Sequence, residues 1–388
     1  MTDALTIPAT SAGGVTDGAR AALRARRRSF FLRLAAGGIT VAGAYALAEY
    51  APWLDYDRQA AHARRHMEVN PAASAPLREL VRYATLAASG HNTQPWKFAI
   101  GKGAVEIRPD YARRLPAVDP ADRELWISLG CALENLLITA RAAGYAPEVT
   151  YPDAMDRIHV RLAAGVPHPS RLFDAIPTRQ NTRSLYDGRC VERSTLRGLE
   201  TLPTEPGIVL RFVLSPSDRE TALSYVRQAD VRQGGDQAFT AELIHWLRFD
   251  RREALASCDG LYAPCSGSPE VPRWLGRLFM SGTKPARQAD ADADKLRSSA
   301  GVVVIASERD DKTGWVRTGQ AYERLALTMT ALHIKCAFLN QPIEVADLRG
   351  QFQSAIGLGK AVPQLLMRFG YAGAMPFSLR RPVEGVLL

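Results

Sequence analysis

Two long apolar helices, each set among strand-like segments, constrain this 388-residue chain more than any single motif. The first, "RELWISLGCALENLLITARAAGY", ends at Gly144 and runs into the strand pattern "APEVTYP". The second is "TGQAYERLALTMTALHIKCAFLNQPIEV", residues 318–345, and it too closes on a strand-like turn. A helix, a strand, a long helix and a closing strand thus follow one another twice. That order predicts a duplication of architecture, although the halves share no identity visible by eye.

In the first half, "APLRELVRYATLAAS" spaces its apolar residues for a helix. "WKFAIGKGAVEIRPD" alternates as a hairpin turning at Gly101-Lys102-Gly103, and "DRIHVRLAAG" adds a strand. In the second, "RSTLRGLETL" reads as a helix, "GIVLRFVLS" as a strand, 218–233 and 236–249 as helices, and "AGVVVIAS" as a buried strand.

A net charge of +9 comes mostly from arginines scattered among acids, with no Lys/Arg block interleaved with aromatics. Nucleic-acid binding is not expected. The five cysteines form no CxxC pair and no Cys/His cluster. Cys131 and Cys336 read as small core residues. Cys258 and Cys265 flank a Gly/Ser/Pro loop and could pair if the protein is exported.

The segment "RARRRSFFLRLAAGGITVAGAYALAEYAP" has a charged leader with Arg27-Arg28, a mildly apolar run and a small-residue ending, Ala46-Leu47-Ala48. That is the layout of a signal peptide, similar to the twin-arginine export motif with Phe31 where Leu is usual. It implies the twin-arginine machinery as a partner and an envelope or periplasmic address. An uncleaved anchor touching the membrane and a basic helix of a cytoplasmic protein are the competing readings.

The densest polar string is "SGHNTQPW", Ser89 to Trp96, directly before the hairpin. Together with "RQNTRSLYDG" and a late "RRP", it resembles the nitroreductase superfamily of FMN proteins. The closest resemblance is to the Acg-like branch, in which two nitroreductase-type halves share one chain. It covers roughly residues 75–388. The resemblance implies an α+β fold of two related halves around a mixed sheet, a pseudo-dimer in a monomeric chain. Domain limits follow at 1–48 for the export segment, 49–170 for the first half and 171–388 for the second.

The resemblance also implies the cofactor, FMN, and its contacts. Ser89, Asn92, Gln94, Pro95 and Trp96 would surround the flavin ring. Arg179, Asn181, Thr182 and Arg183, with Arg380 or Arg381, would hold the phosphate and ribityl chain through charge-assisted forks. Gln341 would face the ring. The slot "RHMEVNPAASAP" lacks the arginine string and "TEPGIVLRF" lacks the ring motif, so one flavin site is expected intact and one lost. His91 reads as a loop histidine, and no metal site is assigned.

The Gly/Pro/Ser-rich segment 257–295 is longer than such a fold needs and is expected to be a lid that buries Trp274 and Phe279. The expected function is an FMN-binding oxidoreductase of nitroreductase type, acting on a nitro- or quinone-like small molecule. The cofactor, rather than a side chain, would carry the chemistry. The alternative is a protein that sequesters flavin in an occluded site with little turnover.

Overall fold

The structure, a computed structural model, describes residues 52–68, 76–151, 156–282 and 284–388. The export segment 1–48, with Arg27-Arg28, lies outside the described residues. Asp55–Leu388 forms one unit.

Helices α1 (Pro52–Ala63) and α2 (Leu77–Thr85) lead into the hairpin β1 (Trp96–Gly101) and β2 (Ala104–Pro109). Trp96 and Phe98 are buried while Lys97 and Ala99 are only partly covered, so the alternation marks a strand with one face on the core. Helix α3 (Arg123–Ala142) follows, then β3 (Tyr145–Thr150) and β4 (Ile158–Ala164). These strands make an antiparallel sheet in the order β1-β2-β4-β3.

The second half begins with α4 (Arg193–Glu200) and β5 (Ile208–Val213). Helices α5 (Pro216–Gly235) and α6 (Gln237–Trp246) follow, then β6 (Leu247–Arg248), α7 (Arg251–Ser257) and β7 (Leu261–Tyr262). Helices α8 (Arg273–Gly282) and α9 (Pro285–Arg297) bring the chain to β8 (Gly301–Ser307). Helix α10 (Lys312–Ala331), β9 (Lys335–Phe338), α11 (Ala346–Ala355) and β10 (Val362–Gly370) complete it. This sheet is also antiparallel, in the order β5-β8-β10-β9.

Each sheet therefore runs first, second, fourth, third, with a 20-residue helix between its second and third strands. The expected mixed sheet is corrected to two separate antiparallel sheets. Among the described residues, parallel pairing is confined to β6–β7 and to isolated bridges, Phe98 with Leu387 and Asn181 with Cys336. Strand β8 is buried along its whole length, as its unbroken apolar run requires of a strand covered on both faces.

The two long helices cross at matched glycines. Gly130 and Gly319 are each the eighth residue of their helix. A Cβ on Gly130 would lie 2.0 Å from the Val316 carbonyl oxygen, and one on Gly319 would lie 2.0 Å from that of Ile127. Only glycine lets the backbones come this close. Helix α3 is long and apolar enough to cross a membrane, but its span is 94% buried inside the protein, as a core helix. Cys258 and Cys265 are both free, so the suggested disulfide is not formed.

Candidate functional site

The polar string ahead of β1 folds into a strained loop. His91, Asn92 and Gln94 have φ of 45°, 54° and 52°, left-handed values that cost energy outside glycine and need support from elsewhere. Ser89 Oγ accepts from the Gln94 amide at 3.1 Å. The Gln94 side chain donates to the Cys258 carbonyl at 2.9 Å and accepts from the Arg381 amide at 2.9 Å. Asn92 Nδ2 donates to the Gly260 carbonyl at 3.0 Å. The loop is thus fastened to β7's approach and to the C-terminal tail.

Against this loop lie two cavities that share walls at Ala88, Ser89, Asn181, Arg183 and Leu261. The smaller, about 60 Å³, is ringed by Arg64, Arg179, Arg183 and Arg380, with Asn92 at its side. Arg179 is 2% exposed; its Nε lies 2.8 Å from Glu323 Oε1 and its Nη2 donates to the Leu86 carbonyl. Burial pushes the Glu323 carboxyl up, and the Arg179 charge opposes that rise. Among the described residues, the other guanidiniums bond to neutral groups only. Arg64 donates to the carbonyls of Pro177 and Arg179, and Arg183 reaches Ser266 Oγ at 3.4 Å. Arg380 donates to Leu86, Ala87, Ser378 and Leu379, leaving its buried Nε unpartnered. Burial, then the Arg179 charge, pull Arg380 down to about 10, and burial lowers Arg64 and Arg183 too. Four cations against one carboxylate in so small a space call for an anion.

The larger cavity, about 390 Å³, runs from Ser89, Gly90 and His91 across Ile127, Ser128 and Cys131 of α3 to Asn340, Gln341 and Glu344. Gln341 Nε2 donates to Asp230 and Asp292, and its Oε1 is unpartnered. Burial, with Asp292 nearby, pushes Asp230 up to about 7. Burial and then the Glu124 charge push the Glu344 carboxyl well up. Glu344 Oε2 accepts from Gln233 at 2.6 Å. Burial, then the Arg183 charge, hold His91 down at about 4, a neutral imidazole at ordinary pH.

No family model matches the chain. In sequence it is similar to proteins of Mycobacterium tuberculosis named "Putative NAD(P)H nitroreductase". One is 29% identical over 324 residues, covering 80% of this chain and 90% of the relative. Another, acg, is 26% identical over 326 residues, covering 80% and 94%. Among solved structures, the FMN-dependent nitroreductase NfnB from Mycobacterium smegmatis in complex with NADPH superposes with a TM-score of 0.35 at 14% identity. It covers 52% of this chain and 87% of its own. The likeness is to nitroreductase-like proteins.

Of the residues that the nitroreductase resemblance singles out, Ser89, Asn92, Arg179, Asn181, Arg183, Gln341 and Arg380 line the cavities. Gln94, Trp96 and Thr182 are buried behind them, Pro95 opens the hairpin, and Arg381 turns toward Asp110 at 3.6 Å. Arg64 and Glu344 escape the sequence reading. Arg64 stands just before the 65–76 slot that lacks the family's arginine string, and the Arg64-Arg65 pair was its signal.

The segment 257–295 supplies Leu261, Ser266, Ser268, Met280, Gln288, Asp292 and Lys295 to the larger cavity. The expectation that it buries Trp274 and Phe279 is corrected: they are 69% and 58% exposed. Helix α8 has two faces, and it is the Gly276–Met280 side that turns inward.

Proposed function

We propose that the chain is an FMN-dependent oxidoreductase of nitroreductase type, acting on a nitro- or quinone-like acceptor. The observation that carries this reading is the small arginine-ringed cavity that shares a wall with the larger one over α3. The unpartnered Nε of Arg380 and the unneutralised Arg64 and Arg183 fit a phosphate monoester, and the larger space fits a planar ring system. FMN, when bound, supplies the electron-transfer chemistry. The chain's residues then do the rest. Arg64, Arg183 and Arg380 hold the phosphate, while Ser89 and Asn181 stand in the wall that the two cavities share and Asn92 in that of the smaller. Glu344 stands on the far wall, and Met280 of α8 with Gln288, Asp292 and Lys295 of α9 line the space.

We infer a single site per chain, in a pseudo-dimer of two halves. Glu134 and Glu323 are both the twelfth residue of their long helix. Glu323 faces the arginine cavity through Arg179, whereas Glu134 is met by Arg324 at 2.8 Å, which also pairs with Glu205 at 2.6 Å. That network fills the place where a second site would lie, beside the "TEPG" slot. The test is the absorption spectrum and flavin content of purified protein: one FMN per chain is expected. Colourless protein that ignores added FMN sinks the cofactor reading, and two FMN per chain sinks the single site.

Export through the Arg27-Arg28 segment is part of the same proposal, and it places the protein away from soluble nicotinamides. The expected result is slow reduction by NADPH in stopped flow, and cytoplasmic retention of an Arg27→Lys/Arg28→Lys variant. Rapid reduction by NADPH together with a cytoplasmic wild-type chain removes the export reading and leaves the oxidoreductase one standing.

A further inference from the structure

Helix α8 presents large apolar side chains to solvent. Trp274 and Leu278 are 69% and 63% exposed, and Phe279 at their edge is 58% exposed. The opposite face is fixed by packing. A Cβ on Gly276 would lie 2.2 Å from the Phe249 ring, Met280 lines the larger cavity, and Arg273 is held to Glu253 at 3.0 Å. Trp274 and Leu278 are four residues apart and so share the outward face.

The charged side chains exposed between Glu270 and Asp290 are all basic. Arg277, Lys284 and Arg287 are exposed, and among the described residues none of them forms an ion pair. No acidic residue occurs from Val271 to Ala289. An amphipathic helix with a Trp/Leu face and lysine or arginine at its margins suits the boundary of an anionic bilayer. Tryptophan in particular favours the headgroup level, where its ring is dry and its N–H is wet. A second copy of this chain is a poorer occupant. A two-fold contact would bring like charges together, and one helix face is well short of the ~1,000 Å² that a stable interface needs.

We propose that the outer face of α8 docks the protein on an anionic lipid surface. Trp274 and Leu278 enter the headgroup layer, and Arg277, Lys284 and Arg287 meet lipid phosphates. Because Met280 on the same helix lines the larger cavity, docking would bring that cavity's wall within about one helix diameter, ~10 Å, of the lipid. The inference stands whether or not the cavity holds FMN.

The test is partition of the full chain onto phosphatidylcholine vesicles with and without phosphatidylglycerol. Wild type should bind the anionic vesicles, and added salt should weaken it. Trp274→Ser/Leu278→Ser should reduce binding at least ~10-fold. Arg277→Gln/Arg287→Gln should reduce it about fivefold per charge removed, on anionic vesicles only. All four positions are exposed, so circular dichroism should be unchanged; if the serine variant misfolds, the charge variant decides alone. Variants that bind like wild type overturn the proposal and assign any membrane affinity to another segment. So does a concentration-dependent dimer, without vesicles, that the serine variant abolishes.

Discussion

Arg179 and Glu323 form an ion pair of 2.8 Å with side chains 2% and 0% exposed. Of the guanidiniums around the small cavity, this one already has its counter-charge. Removing one member of such a pair strands the other in a dry interior, typically at a cost of ~3–5 kcal/mol. Arg179→Ala should therefore lower the unfolding midpoint sharply in a denaturant titration, with or without ligand. A variant as stable as wild type would mean the pair is not buried in solution.

Arg183 should behave in the opposite way. It has no carboxylate partner and loses stability to burial, so Arg183→Ala should fold at least as well as wild type. A charge-assisted hydrogen bond to phosphate contributes ~1.5–3 kcal/mol, so FMN binding should weaken roughly tenfold to a hundredfold. Riboflavin, lacking the phosphate, should bind both forms equally in fluorescence titrations.

His91 predicts an acid-sensitive fold. Its imidazole is held at about 4, against 6.5 for the free side chain, by burial and then by Arg183. Below 6.5 the unfolded chain takes up a proton that the folded chain refuses. The contribution is thus present above 6.5 and is lost as pH falls toward 4. In His91→Asn, where the new residue tolerates the left-handed backbone, unfolding midpoints between pH 7 and 4 should fall less steeply. An unchanged slope would remove His91 from the account.

The glycine crossing should be intolerant of a methyl group. At Gly319 the added carbon would meet a backbone carbonyl of the facing helix, which cannot rotate away. Gly319→Ala and Gly130→Ala should each cost near the upper end of the ~1–3 kcal/mol typical of overpacking. Once one has pushed the helices apart, the second should add little, and a double-mutant cycle of unfolding free energies reads that coupling.

What could be read from the sequence follows physical lines. The hairpin at Trp96, helices α3 and α10 and the buried β8 were legible because their apolar period is clean and local. Strand β10, central to its sheet, was not. It carries Gln364 and Arg368, 0% and 1% exposed, which look like surface residues until their partners are known. Gln364 is satisfied by Ser307 and Asp310, and Arg368 by the carbonyls of Thr182 and Ser184. At the site, the polar residue types were visible but not their direction. Gln94 reads as well as Asn92 for a cavity contact, yet its amide is used up by the Cys258 carbonyl and the Arg381 amide, more than 150 residues away. Long-range partners of this kind leave no periodic trace.

The Gly130–Gly319 crossing joins two helices carried on one polypeptide, so the walls of the arginine cavity cannot drift apart when the protein is diluted. A covalent tether holds its ends at an effective concentration on the order of millimolar, whatever the amount of protein in solution. An assembly of separate subunits would shed its ligand as it fell below its own dissociation constant. This chain's site should instead stay assembled at any dilution, with its occupancy set by ligand affinity alone.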